Sequence, residues 1–187
     1  MNKSFLAILT AIALPAAFTH AQNLLKNSSF EQAGHFEDHA SNWKMGQPDE
    51  YGDAWGSAVR VDWRAYDGNF IGAIRGTWAG AGDYGGFWQD AKVEAGSTYR
   101  LSAWFWADSA WTANHQQLKI EFWNEDRSMM LAEESVSLYE LGEDWRMFSV
   151  EATAPEGTGF ARAVINVAGA GDSGALQIDS VSLQASW

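Results

Sequence analysis

From Ala58 to Leu183 the chain repeats one pattern, short runs in which apolar and polar residues alternate, each closed by a cluster of Gly, Pro, Asn or Asp. Alternation with a period of two puts successive side chains on opposite faces of a strand, and it cannot make an amphipathic helix. The runs are Ala58–Trp63, Phe70–Arg75, Phe87–Val93, Tyr99–Ala107, Leu118–Trp123, Met129–Leu138, Trp145–Ala152, Ala161–Ala168 and Leu176–Leu183. Turn chemistry separates them at Glu94-Ala95-Gly96-Ser97, Asn124-Glu125-Asp126-Arg127, Pro155-Glu156-Gly157-Thr158 and Gly169 to Gly174. No helix-length apolar pattern and no heptad repeat interrupts the series. Strands this short and evenly spaced predict an all-β fold, an antiparallel β-sandwich or jelly roll.

The first residues are of another kind. Lys3 precedes an apolar stretch from Phe5 to Phe18, too short to span a bilayer, and Thr19-His20-Ala21 offers small residues at the −3 and −1 positions. Met1–Ala21 therefore reads as a secretory signal peptide with cleavage before Gln22. Removing 21 of the 187 residues leaves 166, enough for one domain spanning 22–187, and no linker divides it. The predicted location is extracellular or periplasmic, and the expected state is a monomer.

Twelve Lys and Arg stand against 24 Asp and Glu, and the leader removes one lysine and no acid, so the net charge falls from −12 to −13. That balance argues against nucleic acid and anionic membranes, which need basic patches. It also disfavours anionic polysaccharides, though a local basic spot could hold a single carboxylate. A secreted chain with no cysteine has no disulfide, and a bound ion is the natural alternative staple.

Eleven tryptophans are more than a core of this size needs. In the run from Tyr99, the phase Tyr99, Leu101, Ala103, Phe105 reads as core, which leaves Arg100, Ser102, Trp104, Trp106 and Asp108 on the other face. In the next run Leu118, Ile120 and Phe122 point in, against Gln117, Lys119, Glu121 and Trp123. Phe87, Gln89, Ala91 and Val93 oppose Trp88 and Asp90. Tryptophan beside charges and amides suits a wet groove, because a buried charge without a partner is costly. Trp104, Trp106 and Trp123 are the first candidates for stacking on a flat ligand, and Trp88 is the second. Trp55, Trp78 and Trp111 fall in loops rich in small or polar residues, where they either gate a groove or fold down as lids. Trp43 and Trp145 read as structural, and Trp187 as a frayed terminus.

Read end to end, the chain resembles the carbohydrate-binding modules of the galactose-binding-like jelly-roll superfamily, the branch near families 4, 9 and 22. NLLKNSSFE (Asn23 to Glu31) is similar to that branch's entry strand, and Trp43 follows where its tryptophan stands. YDGNF (Tyr66 to Phe70) is similar to its middle loop, and GGFWQDAKVEAGSTYRLSAWFW (Gly85 to Trp106) to its central strands. APEGT (Ala154 to Thr158) and LQIDSVSL (Leu176 to Leu183) are similar to its closing strands. The resemblance implies a structural calcium held by Glu31 and Asp179, with oxygens from Asp67-Gly68-Asn69. Two departures stand out: Ser28-Ser29 replaces the usual Gly or Pro of the entry turn, and Asp179-Ser180 carries one acid where two are common.

Other chemistry is less well founded. His35, Glu37, Asp38 and His39 cluster in sequence, but no helix would put the two histidines on one face, so a solvated loop is expected. Glycoside hydrolysis needs two carboxylates flanking the bond, and Glu121 with Asp90 or Asp108 is conceivable. No G-x-S-x-G occurs, and no clustered Tyr, His and Arg suggests a lyase. The reading is a secreted, non-catalytic module that binds a neutral or weakly charged polysaccharide or oligosaccharide with no membrane insertion. Trp104, Trp106 and Trp123 would stack on the rings, Glu121, Gln117, Lys119 and Arg100 would take hydroxyls, and Trp88, Trp55 and Trp78 would extend the groove. The alternatives are a structural or adhesive surface protein that binds a protein partner, and a small glycan-active lyase or hydrolase.

Overall fold

Each of the nine alternating runs contains a strand in the computed structural model, which describes residues 22–45, 58–77 and 84–186. In chain order the strands are β1 (Lys44–Met45), β2 (Ala58–Val61), β3 (Ile71–Arg75), β4 (Gly85–Lys92) and β5 (Thr98–Ala107). They continue with β6 (Ala113–Asn124), β7 (Met130–Ser137), β8 (Arg146–Thr153), β9 (Thr158–Ala170) and β10 (Ala175–Ser186). Only the two-residue β1 was beyond the reach of alternation. The leader Met1–Ala21 and the tryptophans Trp55, Trp78 and Trp187 lie outside the described residues.

Two five-stranded antiparallel sheets result, ordered β1-β4-β9-β6-β7 and β2-β3-β10-β5-β8. We call them the front and back sheets. The all-β sandwich expected from the alternation is the fold observed. Its inner phases meet: as predicted, Phe87 from β4 and Leu118, Ile120 and Phe122 from β6 face Leu101 and Phe105 from β5, and Ile165 from β9 and Leu176 and Ile178 from β10 join them, all fully buried. Burial of each such side chain contributes roughly 1.5–3 kcal/mol. At one end Phe30 stacks on Trp43 (5.2 Å) and meets Phe87 edge-on (5.3 Å). Gly72 lies beneath, where a β-carbon would stand 2.9 Å from the Phe30 ring, so only glycine lets the ring settle there. Trp43 is structural, as expected, and its indole N–H donates to the Asn27 carbonyl (2.9 Å).

The entry segment is secured by side chains that imitate backbone. Gln89, on the inward phase of β4, accepts from the Lys26 amide (2.7 Å) and donates to the Lys26 carbonyl (3.0 Å). Asn23 does the same for β10, accepting from the Leu183 amide and donating to the Val181 carbonyl. In β10 the register with β5 shifts between Asp179 and Ser182, and Ser180 takes a positive φ of 48° at that bulge.

The bulge joins a polar latch beneath the β2–β3 loop. Asp179 is on the outward phase of β10, opposite Trp104, yet it is fully buried because the loop crosses it. The Tyr66 and Asp67 amides donate to its Oδ2 (2.9 Å each) and the Ser180 amide to its Oδ1 (2.6 Å). Farther along the loop, the Asn69 and Phe70 amides donate to Glu31 Oε1 (2.9 Å each). The buried Arg60 guanidinium donates to the carbonyls of Phe30 (2.6 Å), Glu31 (2.8 Å) and Glu37 (2.9 Å), and lies 3.5 Å from the centre of the Phe70 ring.

This geometry departs from the calcium site that the resemblance implies at Glu31, Asp179 and Asp67. Calcium takes about six to eight oxygens. Here the loop turns N–H groups rather than carbonyls toward both carboxylates, and the neighbouring carbonyls accept from Arg60. Among the described residues, no three acids or histidines converge as a metal cage. As arranged, these residues do not fit the ion, and the cation on hand is the guanidinium.

Two outcomes follow from the latch. Chelator and added calcium should leave the melting temperature unchanged, whereas Arg60→Met should lower it by on the order of 10 °C, since three bonds from a buried charge are lost. A rise in melting temperature on adding calcium would restore the ion. The second outcome concerns protons. Burial raises the pKa of Asp179 from 3.8 to about 6 against the pull of its three amide donors, with the nearby Asp67 carboxylate adding to the rise. The folded state then holds a proton that the unfolded chain has released, so this group's contribution to stability declines as pH rises from about 4 through about 6. Relative to Asp179→Asn, the wild type should lose up to about 3 kcal/mol between pH ~4 and pH ~7 in denaturant titrations. A difference that does not vary with pH would mean an ordinary carboxylate.

Candidate functional site

Each sheet has an outer face, and the tryptophans expected to form one groove are divided between them. Trp104, Trp106 and Arg100 belong to β5 in the back sheet, whereas Gln117, Lys119, Glu121 and Trp123 belong to β6 in the front sheet. Consecutive strands of a sandwich commonly switch sheets, and alternation carries no sign of it. The single groove is therefore corrected to two separate faces.

The back face is occupied by the protein itself. Tyr66 of the β2–β3 loop stacks on Trp104 at 4.1 Å between centroids and 17° between planes, and Trp145 packs edge-on against Tyr66. Trp106 is only 8 % exposed, and the Arg64 guanidinium stands 5.4 Å from its ring. Arg100 pairs with Glu151 of β8 (3.1 Å) near the end of the strand. Trp104 and Trp106 thus hold the loop over the sheet and do not present a free stacking surface. Trp145 is also placed differently from expectation: it is half-buried on this face, outside the inter-sheet core.

The front face, among the described residues, keeps Trp88 and Trp123 half-exposed. Register sets its side chains in rows across β4, β9, β6 and β7. One row runs Asp90, Arg162, Glu121, Glu133; on one side of it lie Trp88, Val164, Lys119 and Ser135, and on the other Lys92, Phe160 and Trp123. Arg162 is the centre of this arrangement. Its guanidinium is 4.0 Å from the Trp88 ring and 4.8 Å from the Trp123 ring, and it donates to both Asp90 oxygens (2.7 and 3.3 Å). Arg127 reaches the same carboxylate (2.9 Å). Glu121 accepts from the Trp123 indole (3.0 Å) and pairs with Lys119 (2.7 Å), which also bonds Glu133 (3.1 Å). Its two carboxylate partners raise the Lys119 pKa, although partial burial alone would lower it. The two indoles are thus fixed by a lattice of charge-assisted bonds while they remain half-exposed.

Two recesses flank Arg162. A pocket of about 110 Å³ is lined by Tyr84, Gly86, Trp88, Glu121, Arg162 and Asn166 among others, and the Oδ1 of Asn166 is buried with no hydrogen-bond partner among the described residues. Gln117 lies opposite Asn166 on β6. Toward β1 and the entry segment the face opens into a cleft of about 620 Å³ that includes Trp88, Asp90, Phe160 and Arg162. Arg162, Asn166 and Phe160 were missed in the sequence, although the alternation of β9 puts all three on its outward phase. Phase alone could have found them.

The other candidates resolve plainly. Trp111 is a lid, 9 % exposed, with its indole bonded to Gln116 (2.8 Å). The segment from His35 to His39 is a tight turn in which Phe36 sits between the two imidazoles, and among the described residues it gathers no third ligand. Asp108 caps a turn by accepting from the Ala110 and Ala175 amides and belongs to β5's end of the back sheet, apart from Glu121.

No protein-family model and no curated protein matches this chain. Solved structures do resemble it. A family 61 carbohydrate-binding module (TmCBM61) in complex with β-1,4-galactotriose is 18 % identical, with 89 % of this chain and 100 % of that one covered at a TM-score of 0.60. The second family 16 carbohydrate-binding module is 18 % identical, with coverages of 86 % and 99 % and a TM-score of 0.62. The enzymatically active domain of tailspike protein 4 from bacteriophage CBA120 is 16 % identical over 88 % of this chain, at a TM-score of 0.64, but this chain spans only 21 % of it. A cyclase from Fischerella sp. TAU has the same sandwich at 15 % identity, with coverages of 89 % and 98 % and a TM-score of 0.59. At these identities the likeness concerns the fold, and that fold is the jelly-roll sandwich of carbohydrate-binding modules.

Proposed function

We propose that this protein is a secreted, non-catalytic polysaccharide-binding module whose ligand lies across the front sheet. The observation that carries the reading is the diagonal Trp88–Arg162–Trp123: two half-exposed indoles held on the sheet face with Glu121, Lys119, Gln117 and Asn166 on the same phase. The apolar faces of sugar rings suit the indoles, and the polar side chains suit hydroxyls. Asn166 adds a side-chain amide to the recess beside Trp88. Secretion rests on the leader read at Met1–Ala21. Catalysis is less well supported. Asp90 spends its oxygens on Arg162 and Arg127, and Glu121 spends its own on Lys119 and the Trp123 indole, an arrangement that suits positioning better than proton delivery.

Calorimetric titration beside thermal melts tests the assignment of faces. Trp88→Ala and Trp123→Ala should weaken glycan binding by about tenfold to a hundredfold, about 1.4–2.8 kcal/mol, with little change in melting. Trp106→Ala should leave binding intact and cost roughly 3–5 kcal/mol of stability. The reverse pattern would move the groove to the back sheet. Soluble oligosaccharide should compete with any immobilised ligand; failure to compete would favour a protein partner instead.

A further inference from the structure

The charge of the front cleft is opposite to that of the molecule. Five cations line it, Lys26, Lys44, Lys92, Arg127 and Arg162, with Asp90 the single carboxylate among them. The cleft thus takes five of the chain's 12 Lys and Arg but one of its 24 Asp and Glu. Asp90 is already shared by Arg162 and Arg127. Lys92 has a partner in Glu125 (2.9 Å), but both ends of that pair are more than 70 % exposed, so it is weak and readily exchanged. Among the described residues, the ammonium groups of Lys26 and Lys44 have no carboxylate partner, and both side chains are exposed. Five positive charges gathered in one recess of a protein with a net charge of −12 repel one another unless an anion joins them.

We infer that this cleft binds the carboxylate or sulfate groups of an anionic polysaccharide, with Lys26 and Lys44 as its free anion contacts. The inference rests on the polysaccharide reading of the same face and narrows its ligand. Lys44 pairs in register with Trp88, so that half-exposed indole has a cation beside it, and Lys92 pairs with Phe160, whose buried ring lies under the Arg127 guanidinium (3.7 Å) and adds a second cationic station. A ring lying on the aromatic surface would bring its acidic substituent to the ammonium. Four residues of β4, roughly 13 Å of strand, separate the two stations, which suits a charged polymer better than one isolated anion. The net charge had pointed to a neutral or weakly charged ligand, but net charge does not describe a surface on which the signs are segregated. The acidic remainder of the molecule adds specificity, since it repels the same polymer everywhere else. An aromatic-floored cleft favours sugar rings over a lipid surface or nucleic acid, and these become comparison arms.

Affinity electrophoresis and calorimetry of the full chain, wild type and Lys26→Ala/Lys44→Ala, test the assignment. The probes are polygalacturonate and alginate (carboxylated), dextran sulfate (sulfated), β-1,4-galactan and cello-oligosaccharides (neutral), duplex DNA, and phosphatidylserine vesicles. The expected result is binding to at least one anionic glycan, weakened more than tenfold as NaCl rises from about 50 to about 500 mM. The double variant should lose about tenfold on that glycan and nothing on a neutral one, at an unchanged melting temperature. The carboxylated and sulfated arms show which anion is preferred. Binding of neutral glycans alone, or an unaltered double variant, overturns the anionic assignment and leaves the polysaccharide reading standing. Equal binding of DNA or vesicles overturns it in favour of an unselective polyanion surface. Binding to none of the glycans overturns both readings.

Discussion

One buried carboxylate, one exposed carboxylate and one buried guanidinium hold the loop that covers the back face of this sandwich. Asp179 and Glu31 hold the β2–β3 loop by its amides, and Arg60 holds the entry turn by its carbonyls. Held at both ends, the loop lies across the back sheet, where Tyr66 covers Trp104 and Arg64 stands over Trp106. Had the loop been free, both outer faces would have carried exposed indoles. As it is, the aromatic material of one face is spent on the protein and that of the other is left for a ligand. The latch is polar and costly to bury, and it is retained at a fully enclosed position where every carboxylate oxygen finds an N–H donor.

The front face shows how exposed tryptophans are kept from collapsing onto the sheet. Trp88 and Trp123 come from strands on either side of β9, and Arg162 stands between them, attracted to both rings and bonded to Asp90. Glu121 fixes the Trp123 indole through its N–H and is itself steadied by Lys119. Each interaction alone contributes little at a wet surface, but together they restrict rotamers before any ligand arrives, which lowers the entropy lost on binding. A site built on strands rather than loops is stiff by construction.

How much of this was legible in the sequence depends on range. Alternation is a local property, and it located nine of ten strands and the inward residues of β4, β5 and β6. Which sheet a strand joins is set by partners far away in the chain: β5 pairs with β10 and β6 with β9, although β5 and β6 are neighbours in sequence. Trp104 and Trp123 therefore looked alike and lie on opposite faces. Asp179 illustrates the same limit, for its strand phase says outward and only a loop more than a hundred residues earlier makes it buried. The resemblance to carbohydrate-binding modules identified the fold, but its calcium residues hold amide donors here. Arg162 and Asn166 could have been read from the phase of β9, which was not applied to that strand.

The separation of charge on this molecule reaches beyond the contacts it makes. An acidic body with five of its 12 cations gathered in one cleft has an electric dipole, and near an anionic surface a dipole feels a torque as well as a force. At physiological salt that torque acts only within about 8 Å of the surface, roughly the last layers of water before contact. Over that distance the acidic sides are turned away and the cleft is turned forward. Encounters with such a surface are then sorted by orientation before any side chain touches the ligand, and the capture rate owes more to this alignment than the lifetime of the bound state does.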